Sequence, residues 1–144
     1  MITLKPDEAA KADQFLDEQH DRLSRLGESL FETFGYDRKT KRVSSQIRNL
    51  QQIVCSATLF ADIEDFVKNQ MGKGTASARD WQRVGEEVLK QLRDLRQKAM
   101  GMAESPDAQL AVRLRLARGW VRAVVSEYLF RVACAEMENR DGRV

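Results

Sequence analysis

Apolar residues recur along this chain at spacings of three, four and seven, the period of helices that bury one face. The first such stretch starts near Pro6 or Asp7, where proline suits a first turn and Asp7 and Glu8 complement the helix dipole. Phe15, Leu16, Leu23, Leu26, Leu30, Phe31 and Phe34 give it a long apolar face, and Gly35 supplies a left-handed cap. A second helix is predicted from about Ser44 to about Gln70. Its stripe of Ile47, Leu50, Ile53, Val54, Ala57, Leu59, Phe60, Ile63, Phe66 and Val67 is the most apolar of the chain, which predicts a central place in the fold. The segment 71–79, MGKGTASAR, reads as a mobile loop. A third helix runs from near Asp80 to about Ala103, with Trp81, Val84, Val88, Leu92, Leu95 and Met102 on one face. Ser105 and Pro106 then form an N-cap and first-turn proline for a fourth helix that reaches about Glu138, with Gly119 as a candidate bend. Its apolar arc holds Leu110, Leu114, Ala117, Trp120, Val121, Val124, Val125, Tyr128 and Val132. No stretch reads as a strand and no repeat is visible, so the expected fold is all-α: a compact antiparallel bundle of four to five helices.

Length and composition narrow this picture without redirecting it. A chain of 144 residues predicts one domain, 1–144, able to bury a core without disulfides or metals. Cys55 and Cys134 fall among apolar helical positions and read as reduced core residues. The N-terminal segment has no apolar signal-peptide core, and no apolar run approaches the roughly 18 residues of a membrane span, so the expectation is a soluble, cytoplasmic protein with no membrane partner.

Enzyme chemistry finds little support. His20, the single histidine, lies beside Glu18 and Asp21 with no second histidine or cysteine cluster to complete a metal site. The acids Asp62, Glu64 and Asp65 read as a solvated helix face, because no nucleophile or base accompanies them. The GKG at 72–74 lacks the spacing of a phosphate-binding loop, and no cofactor is expected. With catalysis set aside, the two tryptophans become available as anchors for a binding or assembly module.

Charge distribution is more informative than the net +2, which comes from 24 basic and 22 acidic residues. Arg38, Lys39, Lys41, Arg42 and Arg48 lie in a stretch with no acid, and Ser44 or Ser45 can cap the helix that follows. Cations crowded at a helix N-terminus repel its dipole unless an anion approaches, which points to phosphate; the plain alternative is a charged loop that stays in water. Tyr36 is the one aromatic residue nearby, so backbone contact is expected rather than base stacking. On the last helix Arg115, Arg118 and Arg122 fall within about 60° of one another, with Arg113 and Arg131 nearer the apolar side. They are a second candidate phosphate surface, the alternative being pairing with acids of the first helix.

The segment RVSSQIRNLQQIV, residues 42–54, resembles the Ser-Gln-Ile-Arg signature near a helix start in the small helical subunit of type III-A CRISPR effector complexes. DLRQKAMGMA at 94–103 and RGWVRAVVSEYLFR at 118–131 are similar to that family's later helices in order and amphipathic character, and the type III-B small subunit has a comparable helical order. The resemblance implies a non-catalytic subunit whose copies stack along guide RNA and target RNA among other subunits of the effector complex. It makes Arg48 the motif arginine, with Ser45, Gln46 and Ile47 completing the tetrapeptide. Lys41, Arg42, Arg115, Arg118 and Arg122 join the expected RNA-binding set by charge and position. The competing expectation is a helical protein-interaction adaptor or dimerising regulator. A DNA-binding regulator ranks last, since no helix-turn-helix spacing is recognisable.

Overall fold

Helix α1 (Pro6–Glu18) opens as its acids predict: the Glu8 carboxylate accepts from the Lys5 N–H at 2.9 Å. In the computed structural model, which describes residues 3–141, the stretch after it is a separate helix, α2 (His20–Phe34). Gln19 interrupts the pair by leaving helical geometry at ψ 6°, so the long first helix expected from periodicity is two.

Beyond Gly35 the chain forms two short strands, β1 (Tyr36–Asp37) and β2 (Arg42–Val43), which pair antiparallel as Tyr36 with Val43 and Asp37 with Arg42. This ribbon was not expected. The second helix also divides, into α3 (Ser45–Ser56) and α4 (Phe60–Gly72). At the break the Ser56 hydroxyl donates to the Gln52 carbonyl at 2.8 Å, a local bond that competes with helix continuation, and Ala57 turns extended. The loop expected at 71–79 shrinks to a few residues before α5 (Ala76–Met100), and α6 runs unbroken from Pro106 to Asp141. The described residues therefore hold six helices where four to five were expected, within the all-α class.

The 36 residues of α6, about 54 Å at ~1.5 Å per residue, form the spine, and all five other helices pack on it. That explains its composition. Its buried positions run from Val112 and Leu116 through Trp120 and Val124 to Val125, an arc of about 220° at the helical repeat, far wider than a one-sided stripe. Gly119 does not bend the helix; a side chain there would strike Leu16 of α1. Gly27 of α2 lets α2 and α6 close in, since an added Cβ would lie 2.5 Å from the Val124 carbonyl oxygen.

α1 and α2 run in the same direction, each later helix runs counter to the one before it, and because the second rod folds back at Ala57, the first pair and α6 run the same way. Asp13 meets Arg115 and Glu28 meets Arg131 along the pair, whereas Ser44 lies by Tyr128 and Ala57 by Arg118, so α3 opposes α6. One continuous core joins all six helices.

Several side chains sit elsewhere than expected. Trp81 and Trp120 are fully buried and cannot anchor a partner. Trp81 packs between Phe34 and Phe66 and donates to Gln46 Oε1 at 2.8 Å; Trp120 donates to Gln91 Oε1 at 2.9 Å. Glu64 is buried rather than solvated, paired with Arg96, whose guanidinium also lies over the Phe60 ring, while Asp62 and Asp65 are exposed as expected. Cys55 is exposed, not a core residue, Cys134 is half-buried, and both are free thiols. Among the described residues no cluster of metal-ligating side chains occurs, and no helix is long and apolar enough to cross a membrane.

Candidate nucleic-acid interface

The basic stretch after Gly35 is a held hairpin rather than a slack loop. Gly35 takes φ +60° and ψ −149°, a conformation open to glycine and costly for any side chain, and its N–H donates to the Phe31 carbonyl at 2.8 Å. At the tip the Asp37 carboxylate accepts the backbone N–H groups of Lys39 at 2.9 Å and Thr40 at 3.4 Å. The Thr40 side chain foremost, together with those backbone bonds, holds its carboxyl below the usual carboxylate range. Lys41 closes the turn at φ 58°.

Two tyrosines fix the hairpin to the body. The buried Tyr128 hydroxyl donates to the Gly35 carbonyl and accepts from the Ser44 N–H at 3.0 Å, clasping both ends of the ribbon. The Tyr36 hydroxyl donates to Glu136 at 2.6 Å, and its ring stacks with Phe31. That bond to a carboxylate, with some desolvation, raises the Tyr36 phenol, while burial raises that of Tyr128.

On this platform Arg38, Lys39, Lys41 and Arg42 are all exposed, and no ion pair engages them among the described residues. Ser44 is the N-cap of α3, its hydroxyl accepting from the Gln46 N–H at 3.2 Å. Ser45 and Arg48 in the first turns are exposed, and Ile47 is fully buried. Of the expected tetrapeptide, then, Ser45 and Arg48 face water; Gln46 has its carbonyl committed to Trp81 and serves the core.

The α6 arginines occupy a different place. Arg115, Arg118 and Arg122 line a cleft between α1 and α6 of about 800 Å³. Arg115 is bound bidentate by Asp13 at 2.8 and 3.0 Å, the acid of the first helix that the alternative reading called for, and the Asp13 carboxyl falls below its usual range chiefly through that bond. Arg118 reaches the Ala57 carbonyl at 3.4 Å. Arg122 makes no ion pair or hydrogen bond among the described residues. Arg131 pairs with Glu28 and Glu127, and Arg113 is half-buried. Tyr128, which holds the hairpin, stands six residues, about 9 Å along α6, from Arg122, and neither the hairpin nor Arg48 lines the cleft. The hairpin with Arg48 and the arginine cleft are thus two separate basic sites. Tyr128 was read from sequence only as part of an apolar arc; the signal was its hydroxyl, which a core position accepts only with a partner.

No family model, no curated protein and no solved structure matches this chain.

Proposed function

We propose that the chain is a non-catalytic, RNA-binding helical subunit, and that the complex it serves is a type III CRISPR effector. The observation that supports RNA contact is the hairpin: Arg38, Lys39, Lys41 and Arg42 project from a ribbon clasped by Tyr128 and Tyr36, next to the exposed Arg48 of the first turns of α3. A pre-formed cationic ribbon loses little conformational freedom on meeting a phosphate backbone, and the helix N-terminus beside it favours the same anion. Near the ribbon Tyr36 is stacked inward, so bases find no exposed aromatic platform and binding is largely indifferent to sequence. The effector-complex reading rests on the resemblance of residues 42–54 to the small-subunit signature.

Titration of the chain with single-stranded RNA at several salt concentrations tests the first part. With about four phosphates neutralised, affinity falls roughly 50-fold between 50 and 200 mM salt. Replacing Arg38, Lys39, Arg42 and Arg48 by Gln together abolishes most of that dependence while helical content is retained. Purification from the source cell with and without ribonuclease tests the second part. Repeat-derived guide RNA with larger subunits is the expected result. A second reading, the protein-interaction adaptor, draws on the exposed Leu129, Phe130 and Met137 near the end of α6. A ribonuclease-insensitive protein partner without RNA would replace the proposed function with it.

A further inference from the structure

The cleft between α1 and α6 lies apart from the hairpin, and its lining has a character of its own. One end carries guanidinium groups: Arg115, fixed by Asp13, followed by Arg118 and Arg122, which have no carboxylate partner among the described residues. The floor is aliphatic, made by Leu4 and Ala9 from the α1 side and by Leu110, Ala111 and Leu114 from α6, and Asp107 lines the end away from the arginines, so an anionic head is favoured only at the arginine end. From Arg118 to Leu110 the cleft follows α6 for eight residues, about 12 Å. Its volume, about 800 Å³, is within the range of small-molecule sites, which combine an apolar lining with a few convergent polar groups.

We propose that this cleft binds a small anion with an aliphatic body, its carboxylate or phosphate monoester held by Arg118 and Arg122 and its chain lying over Ala111 and Leu114 toward Leu110. The head-group assignment follows from charge. Arg118 and Arg122, one turn apart, form no ion pair among the described residues, Arg118 making only a 3.4 Å bond to the Ala57 carbonyl; their forked donors suit a carboxylate or phosphate, and the Asp13 carboxylate is bonded to Arg115 instead. The body follows from the floor. Among the described residues lining the cleft none is aromatic, so a nucleobase would lack a stacking surface, whereas a methylene chain gains from every group it buries. The inference does not depend on the RNA-binding reading, which concerns the hairpin.

Calorimetric titration of the whole chain with octanoate, octyl phosphate, butyrate, inorganic phosphate and AMP tests it. One molecule of octanoate or octyl phosphate per chain is expected, and which of the two binds tighter identifies the head group. Since each buried methylene is worth about four-fold in affinity, butyrate should bind at least tenfold more weakly, as should phosphate and AMP. The double variant Arg118→Gln/Arg122→Gln, at exposed positions, should lose tenfold or more with its thermal unfolding unchanged. Ala111→Phe should block the cleft with every charge retained. The Lys39→Gln/Arg42→Gln variant should bind octyl ligands as the parent does while losing RNA affinity. Absence of saturable binding by either octyl ligand would overturn the proposal. Binding unaffected by both cleft variants, or AMP binding as tightly as the octyl ligands, would overturn it equally.

Discussion

Replacing Tyr128 by Phe removes one oxygen atom from the fully buried clasp of the basic hairpin and leaves the ring packing against Phe31, at a centroid distance of 6.2 Å, unchanged. That oxygen donates to Gly35 and accepts from Ser44, so the substitution breaks two hydrogen bonds at once. A typical intramolecular hydrogen bond contributes about 0.5–1.5 kcal/mol, and a buried group stranded without a partner costs about 1–3 kcal/mol. The Ser44 and Gly35 backbone is only half-buried, so water can re-satisfy part of the loss. The expected destabilisation is therefore about 2–3 kcal/mol. A chain of this size has about 5–15 kcal/mol in total, so urea unfolding should show a clearly lower midpoint with an unchanged slope. Amide exchange is the more specific assay: the Ser44 N–H should exchange much faster, while amides of α5 slow or quicken only with global stability. RNA affinity should fall too, since the four cations would no longer be held in one arrangement. A loss below about 0.5 kcal/mol with Ser44 protection intact would refute the clasp.

Other perturbations test other parts of the structure. Gly27→Ala should cost about 1–3 kcal/mol by thermal unfolding, because its Cβ would meet backbone at 2.5 Å and α2 and α6 would have to separate. Arg96→Met should destabilise more than Arg96→Met combined with Glu64→Gln, since the single change leaves a buried carboxylate without its cation; equal losses in a double-mutant cycle would deny the pair a role. On the acid side, the Asp13 and Asp37 carboxyls titrate below their unfolded values, so their stabilisation is present above about pH 4 and is lost as pH falls through the depressed values. Asp13→Asn should flatten part of that acid limb, modestly, because Asp13 and Arg115 are 56% and 46% exposed. On the alkaline side the Tyr128 and Tyr36 phenols are raised, so stability should hold up to about pH 10, where the unfolded phenols ionise, and decline above it.

The helices were legible because period is a local property: Ile47, Leu50 and Val54, or Val84, Val88 and Leu92, mark a buried face whatever they pack against. The breaks at Gln19 and Ala57 were not, since neither carries glycine or proline and the apolar stripe continues through both. At Ala57 the Ser56 hydroxyl bond to the Gln52 carbonyl acts locally, whereas the break at Gln19 has a tertiary setting. Leu16 seats against Gly119 and Gly27 against Val124, and the chain between must change course to follow α6 at both points. Two misread polar residues were more accessible than that. Gln46 stands four residues before Leu50, and Glu64 lies between Phe60 and Val67 at helical spacing, so both occupy apolar faces; a polar group there needs an internal partner, which Trp81 and Arg96 supply.

The two basic sites show why charge in a sequence underdetermines a surface. The five arginines from Arg113 to Arg131 looked like one surface, but Arg115 and Arg131 are tied to acids of α1 and α2, Arg113 is half-buried, and of these five Arg118 and Arg122 remain for an outside anion. The hairpin cations form no ion pair among the described residues, because the nearest acid, Asp37, bonds to backbone N–H groups and shapes the turn instead of closing on its neighbours. Whether a cation is available to a partner is decided by where the acids are bound, and that depends on contacts such as Asp13 to Arg115, 102 residues apart, which no local pattern contains.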